Sequence, residues 1–158
     1  MVKAGDSIPN ISLTEKAPDN KVDLQKELAS GKGLIIGVPA AFSPTCSDSH
    51  IPDYISHAKL KDAGKVFVVS VNDAFVHLSM NAWAKSLDAD KKSGIRFLAD
   101  ASGDFVRALD LEFPAAPMLG TNRSKRFAAV TQDGKFVSIH VEPDSIGHDA
   151  SSAAKVLG

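Results

Sequence analysis

Apolar and polar positions along this chain follow two periods in alternation. Residues Gly33 to Val38 form a short continuous apolar run, the mark of a strand buried on both faces. After it Ile51, Tyr54, Ile55 and Ala58 recur at i, i+3, i+4 and i+7, which predicts an amphipathic helix. Lys65 to Val71 reads as a second buried strand. A helix from about Ala74 to Leu87 follows, carrying Phe75, Leu78, Ala82 and the only tryptophan, Trp83. Ile95–Ala99 reads as a third strand, and Asp104–Leu109 as a short helix. Near the end, Arg126–Val130 and Phe136–Val141 flank Asp133-Gly134, a strong hairpin signal. Strand, helix, strand, helix, strand and a closing hairpin predict an α/β sandwich: parallel central strands extended by antiparallel ones. The thioredoxin-like fold is one such arrangement, with a central mixed β-sheet flanked by helices and a C-terminal β-hairpin.

Composition narrows the picture. The 158 residues suit a single domain spanning 1–158, and no repeat or linker interrupts them. Eighteen Lys and Arg balance nineteen Asp and Glu, leaving no electrostatic footprint for nucleic acid or an anionic membrane. No apolar run is long enough for a membrane helix. Residues Met1–Asp6 lack the apolar core of a secretory signal, and the C-terminus is not a peroxisomal Ser-Lys-Leu. A cytoplasmic location is the expectation; a mitochondrial one would need a transit peptide already removed. His57, His77, His140 and His148 have no metal-ligand spacing, and Gly31-Lys32-Gly33 lacks the rest of a P-loop, so neither metal nor cofactor is expected.

One cysteine, Cys46, remains to carry chemistry. A single cysteine excludes an intrachain disulfide and a CxxC motif. It lies between the first buried strand and the helix after it. Ser43 is a preferred N-cap residue and Pro44 suits the first helical position, so Cys46 falls in the first turn. There unpaired amides and the positive end of the helix dipole favour a thiolate. Ser43, one turn earlier, is able to share a small bound molecule with the sulfur. Against this stands the plainer reading of Cys46 as a small buried apolar residue; the two are about evenly weighted on spacing alone.

The segment Gly37-Val38-Pro39-Ala40-Ala41-Phe42-Ser43-Pro44-Thr45-Cys46-Ser47 resembles the peroxiredoxin signature Pro-x-x-x-Thr/Ser-x-x-Cys, in its peroxiredoxin-5-type (type II, fungal-like) form. The likeness extends to Gly5–Pro9, Ser70–Val76 and Val141–Asp144, in order along nearly the whole chain. It implies a thiol-dependent peroxidase acting on hydrogen peroxide and organic hydroperoxides. Cys46 would be the attacking thiolate and Ser43 the hydroxyl that holds the peroxide, with Ser in place of the more frequent Thr. Pro39 would shield the site. Arg126, rather than its neighbours Arg123 and Lys125, would stabilise the thiolate and the departing oxygen, helped by the backbone N–H groups of Thr45 and Cys46. His50, four residues after Cys46, suggests either base activation or a packing and hydrogen-bonding role.

The chain departs from many relatives in lacking a second, resolving cysteine: the candidate positions read Ser30-Gly31 and Asp149-Ala150. The expectation is therefore a one-cysteine cycle closed from outside. Glutathione, with or without glutaredoxin, is the leading reductant, thioredoxin the second, and an intermolecular Cys46–Cys46 disulfide a geometrically demanding third. The alternative is a peroxide sensor or relay that passes oxidation from Cys46 to a partner protein. The subfamily resemblance also implies a homodimer, for which Phe42, Phe75 and Trp83 would supply apolar surface unless they are ordinary core.

Overall fold

A computed structural model describes residues 1–72, 77–88 and 90–158, without the side chains of 77–81. A seven-stranded mixed sheet organises them. Its strands are β1 (Ser12–Glu15), β2 (Ala17–Asp23), β3 (Lys32–Val38), β4 (Lys65–Ser70), β5 (Arg96–Ala99), β8 (Phe127–Gln132) and β9 (Lys135–Val141). Their order across the sheet is β2-β1-β5-β4-β3-β8-β9. Strands β3, β4 and β5 run parallel, while β1 joins β5 and β8 joins β3 antiparallel. The short pair β6 (Glu112–Phe113) and β7 (Arg123–Ser124) stands apart from this sheet.

The apolar run of β3 is explained by its central place, since both its faces are covered. Leu34, Ile36 and Val38 enter one core with Ile51, Tyr54, Val66, Val68, Trp83 and Phe97. Ile35 enters the other with Leu24, Leu28, Phe67, Val69, Leu98, Phe105 and Phe127. Helices α2 (Ile51–Ser56), α3 (His77–Leu87) and α6 (Ala153–Leu157) feed the first; α1 (Leu24–Glu27) and α4 (Asp104–Ala108) feed the second. The remaining helix is α5 (Ala116–Leu119). Gly37 is required where it stands: a Cβ there would lie 2.0 Å from the Phe127 ring, which lies against the backbone of β3.

The closing hairpin forms at the expected turn. Asp133 and Gly134 take φ values of 51° and 79°, the left-handed pair of a type I′ turn. The β1–β2 hairpin has no such signal. β2 reads Ala-Pro-Asp-Asn-Lys-Val-Asp and is buried only at Val22, as an edge strand allows. The helix expected through Ala58 stops at Ser56, Ala58 is exposed, and Leu60 supplies the next core contact. The expected Ala74 start of the third helix and Phe75 lie outside the described residues, as does the side chain of Leu78. Trp83 is wholly buried.

Candidate active site

β3 ends at Val38 at the carboxyl edge of the parallel strands, where open α/β sheets place their ligands. Pro39 and Ala40 continue the chain there, both buried. Phe42 then turns with φ 62°, a left-handed conformation that costs a bulky side chain of order 1–3 kcal/mol. The turn is held from both sides. The Ala41 amide donates to Asn72 Oδ1 at 3.3 Å, and Ser70 Oγ donates to the same oxygen. The Phe42 ring, about half exposed, tilts over Trp83 at 6.2 Å between centroids. Asn72 was not singled out by sequence, although it lies in the Ser70–Val76 block.

Helical backbone begins at Pro44 and runs through Ser56. The Ser43 carbonyl accepts the Ser47 amide at 2.9 Å, so its backbone acts as the cap. Its hydroxyl does not accept from the first turn as expected; it donates to the Ala40 carbonyl at 2.9 Å. The amides of Thr45 and Cys46 precede the first ladder bond, as at any helix start. From Cys46 to His50 the turn widens to a π-helix, with the Ile51 amide reaching the Cys46 carbonyl. Pro52 supplies the reason: its ring would collide with the Asp48 carbonyl in an α-turn, so the backbone opens instead. Trp83 Nε1 donates to Ser47 Oγ at 2.7 Å and ties this turn to α3.

Arg126 arrives from the other side of β3. The antiparallel register sets Phe127 opposite Gly37, so Arg126 comes level with Val38, the last residue of the strand from which the cysteine loop departs. Arg126 as a whole is only 2% exposed. Nη1 lies 3.1 Å from Cys46 Sγ and 3.1 Å from His50 Nδ1, while Nε donates to the Ile146 carbonyl at 3.3 Å. Cys46 and His50 are themselves fully buried.

His50 Nε2 is 3.1 Å from the Ser151 carbonyl, which also accepts the Tyr54 hydroxyl at 2.6 Å. A carbonyl only accepts, so Nε2 carries the ring proton and Nδ1 offers its lone pair to Arg126. Burial first, and then the Arg126 charge, push His50 down to about 3. Burial likewise pushes the Tyr54 phenol up. With its lone pair facing a guanidinium, His50 is poorly suited to act as a base. The geometry fits the hydrogen-bonding role.

The other candidates sort themselves by position. Arg123 donates to the Val71 and Leu119 carbonyls at 2.7 and 3.1 Å, away from the sulfur. The Lys125 amide is bound to the Leu111 carbonyl. Thr45 is exposed, and Pro39 is buried between β3 and the cysteine loop. A feature that the sequence reading missed is Glu142, 3% exposed. Its Oε1 accepts from the Asp149 amide at 2.7 Å and from the Ser151 amide and hydroxyl, each at 2.8 Å. Burial opposes its charge, but these donors hold the carboxyl below its ordinary range.

A buried thiol and a buried arginine at the carboxyl edge of a thioredoxin-like sheet define a thiol-based redox protein. The redoxin family model matches residues 3–157. Peroxisomal membrane associated protein 20 of Schizosaccharomyces pombe is 42% identical over 160 residues, covering 99% of this chain and 98% of that protein. Among solved structures, reduced Prx3 from Vibrio vulnificus, in complex with hydrogen peroxide, matches with a TM-score of 0.87 and 34% identity, covering 99% of this chain and 94% of that one. Peroxiredoxin 5 from Alvinella pompejana matches with a TM-score of 0.80 and 37% identity, covering 92% and 93%. The chain belongs to the redoxin family and, within it, to the peroxiredoxins of the peroxiredoxin-5 type, which are thiol-dependent peroxidases.

Proposed function

We propose that this chain reduces hydroperoxides by a one-cysteine cycle centred on Cys46. The observation that carries the reading is the 3.1 Å approach of Arg126 Nη1 to Cys46 Sγ with both groups out of water. The Cys46 thiolate attacks the nearer peroxide oxygen. An S–O bond forms, the O–O bond breaks, and the departing oxygen leaves with the electron pair as hydroxide or alkoxide, taking a proton to become water or alcohol. Charge moves from sulfur to that oxygen, so a fixed cation beside both stabilises the transition state more than the resting thiolate. Arg suits the task because it stays charged and presents a rigid fork of donors. The Thr45 and Cys46 amides add uncommitted donors at the same helix start. Ser43 Oγ has placed its proton on Ala40, so its lone pairs are left to accept from a hydroperoxide O–H. Pro39 limits water at the sulfur.

Cys46 is the sole cysteine, so the sulfenic acid must be reduced by an external thiol. One thiol displaces water to give a mixed disulfide, and a second releases Cys46 with a disulfide of the reductant. Glutathione, alone or with glutaredoxin, suits the buried sulfur best because it is small; thioredoxin is the second choice. Such a cycle needs a thiol-rich compartment, which favours the cytoplasm. The half-exposed Phe42 supports a homodimer contact beside the site, and a single domain over 1–158 is supported by one sheet that draws strands from both ends of the chain.

Steady-state peroxide consumption with glutathione and glutaredoxin, and separately with thioredoxin, tests the reading. Turnover with the glutathione system, lost in Cys46→Ser, is the expected result. Stoichiometric oxidation without turnover by any reductant would favour the relay instead, and full activity in Cys46→Ser would overturn the proposal.

A further inference from the structure

Arg126 carries an uncommon burden. It is buried, and among the described residues no carboxylate stands within ion-pair distance of it. A free guanidinium in that position would swing toward water, so something else must hold it over the sulfur. Two side-chain contacts besides Cys46 do so: the Ile146 carbonyl at Nε and the His50 Nδ1 lone pair at Nη1. Ile146 lies on the segment 142–152, and His50 is set in its proton arrangement by the Ser151 carbonyl on the same segment. The backbone of Arg126 is clamped there too, donating to the Ser145 carbonyl at 2.8 Å and accepting the Glu142 amide at 3.0 Å.

That segment has little regular structure of its own before α6. Asp144 Oδ1 accepts the Ile146 and Gly147 amides, and the Glu142 carboxylate gathers the far end of the segment, drawing the Asp149 and Ser151 amides and the Ser151 hydroxyl onto one oxygen. Tyr54 closes the cluster by donating to the Ser151 carbonyl. The charge is placed so that it shapes the loop without pairing with Arg126, leaving the guanidinium to the sulfur. We infer that Glu142 is the positioning residue that sets Arg126 over Cys46, acting through the Ser151 carbonyl and His50. This inference rests on the peroxidase reading above.

The test uses the full chain carrying Glu142→Gln or Glu142→Asp. The readouts are the rate constant for stoichiometric oxidation of Cys46 by hydrogen peroxide, the rate of alkylation by iodoacetamide, and the melting temperature. Gln keeps the size and loses the charge; Asp keeps the charge on a shorter arm. Losing a group that orients a metal ligand typically costs about 10–100-fold, and an orienting group behind a catalytic arginine is expected to act on the same scale. Glu142→Gln should therefore lower the peroxide rate by about that factor, corrected for folded fraction, with alkylation falling much less, and Glu142→Asp should recover part of the loss. A folded Glu142→Gln with a peroxide rate within about twofold of the parent would overturn the inference. So would parallel losses in both rates that track only the folded fraction. If Glu142→Gln does not fold, Ser151→Ala removes one donor while keeping the carbonyl; a several-fold slower peroxide reaction supports the inference and an unchanged one overturns it. A parent chain that does not react with peroxide at all would instead sink the peroxidase reading.

Discussion

At the residue scale, Arg126 and His50 lead to different predictions. Arg126→Ala removes the sole side-chain cation within hydrogen-bond reach of the sulfur among the described residues. The peroxide rate should fall about 10²–10³-fold, as for loss of one preorganised donor to a developing oxyanion. Stopped-flow oxidation of equal amounts of active thiol measures it; a change under about threefold would remove Arg126 from the mechanism. Arg126→Lys should recover only part, since a single ammonium does not reproduce the guanidinium that reaches Cys46 Sγ and His50 Nδ1 through Nη1 while Nε holds the Ile146 carbonyl.

His50 gives a pH dependence of stability instead. It stays neutral in the folded chain down to about 3, whereas unfolded histidine takes its proton near 6.5. Between those values the unfolded state binds more protons, so stability rises with pH across the window and is lost as pH falls below about 6.5. At pH 5 the contribution is about 2 kcal/mol. Urea unfolding of the parent and His50→Asn at pH 7 and pH 5 checks it. The parent should lose about that much more than the variant; equal losses would contradict the assignment of a neutral, buried His50.

That Pro39, Ser43 and Cys46 share one loop was legible in a contiguous signature, and the approach of Arg126 to that loop was expected from the family resemblance alone. Spacing alone gave Arg126 no role, since its meeting with Cys46 depends on a strand register eighty residues away. Glu142 was hidden for a different reason. A buried acid usually shows itself through a basic partner, and this one is neutralised by amides and a hydroxyl, which no side-chain pattern records.

At the scale of elements, period and turn chemistry read well where one force dominates. The buried runs of β3 and β4 and the Asp133-Gly134 hairpin emerged as expected because apolar burial and positive φ are encoded locally. β2 went unseen because an edge strand needs pairing but little burial. The widened turn at Cys46–His50 was missed as well; the helix period predicts a plain α-helix there, and Pro52 overrides it. Gly37 joins element to site, because β3 and the Phe127 ring meet through its missing side chain, one residue from Arg126. Gly37→Ala should cost about 1–3 kcal/mol, the usual range for overpacking a core, and should also slow peroxide oxidation by shifting β8. Denaturation and peroxide kinetics on one preparation check both; a stability within about 0.5 kcal/mol of the parent would show that the ring gives way freely.

At the scale of the whole molecule, burial of the sulfur separates two kinds of reagent. Cys46 has no exposed surface, so a reagent must be small or wait for the Pro39–His50 region to open. Hydrogen peroxide should therefore oxidise Cys46 much faster than a bulky aromatic disulfide of comparable intrinsic reactivity reacts with it, and guanidinium denaturation should reverse that order for the disulfide. Similar rates in the folded state would contradict a closed site. The same burial disfavours a Cys46–Cys46 bridge, since two sulfurs must approach to about 2.05 Å. Oxidised chain without thiol should run as a monomer on a non-reducing denaturing gel and, with excess peroxide, move on to sulfinic acid.

The most direct test of the central claim is intact-mass measurement after one equivalent of hydrogen peroxide, with and without glutathione added afterwards. The predicted result is a single added oxygen on Cys46 that glutathione replaces with one glutathionyl group and then, in excess, removes to restore the starting mass. A chain whose mass does not change, or whose oxygen sits on a methionine with Cys46 still free, would contradict it.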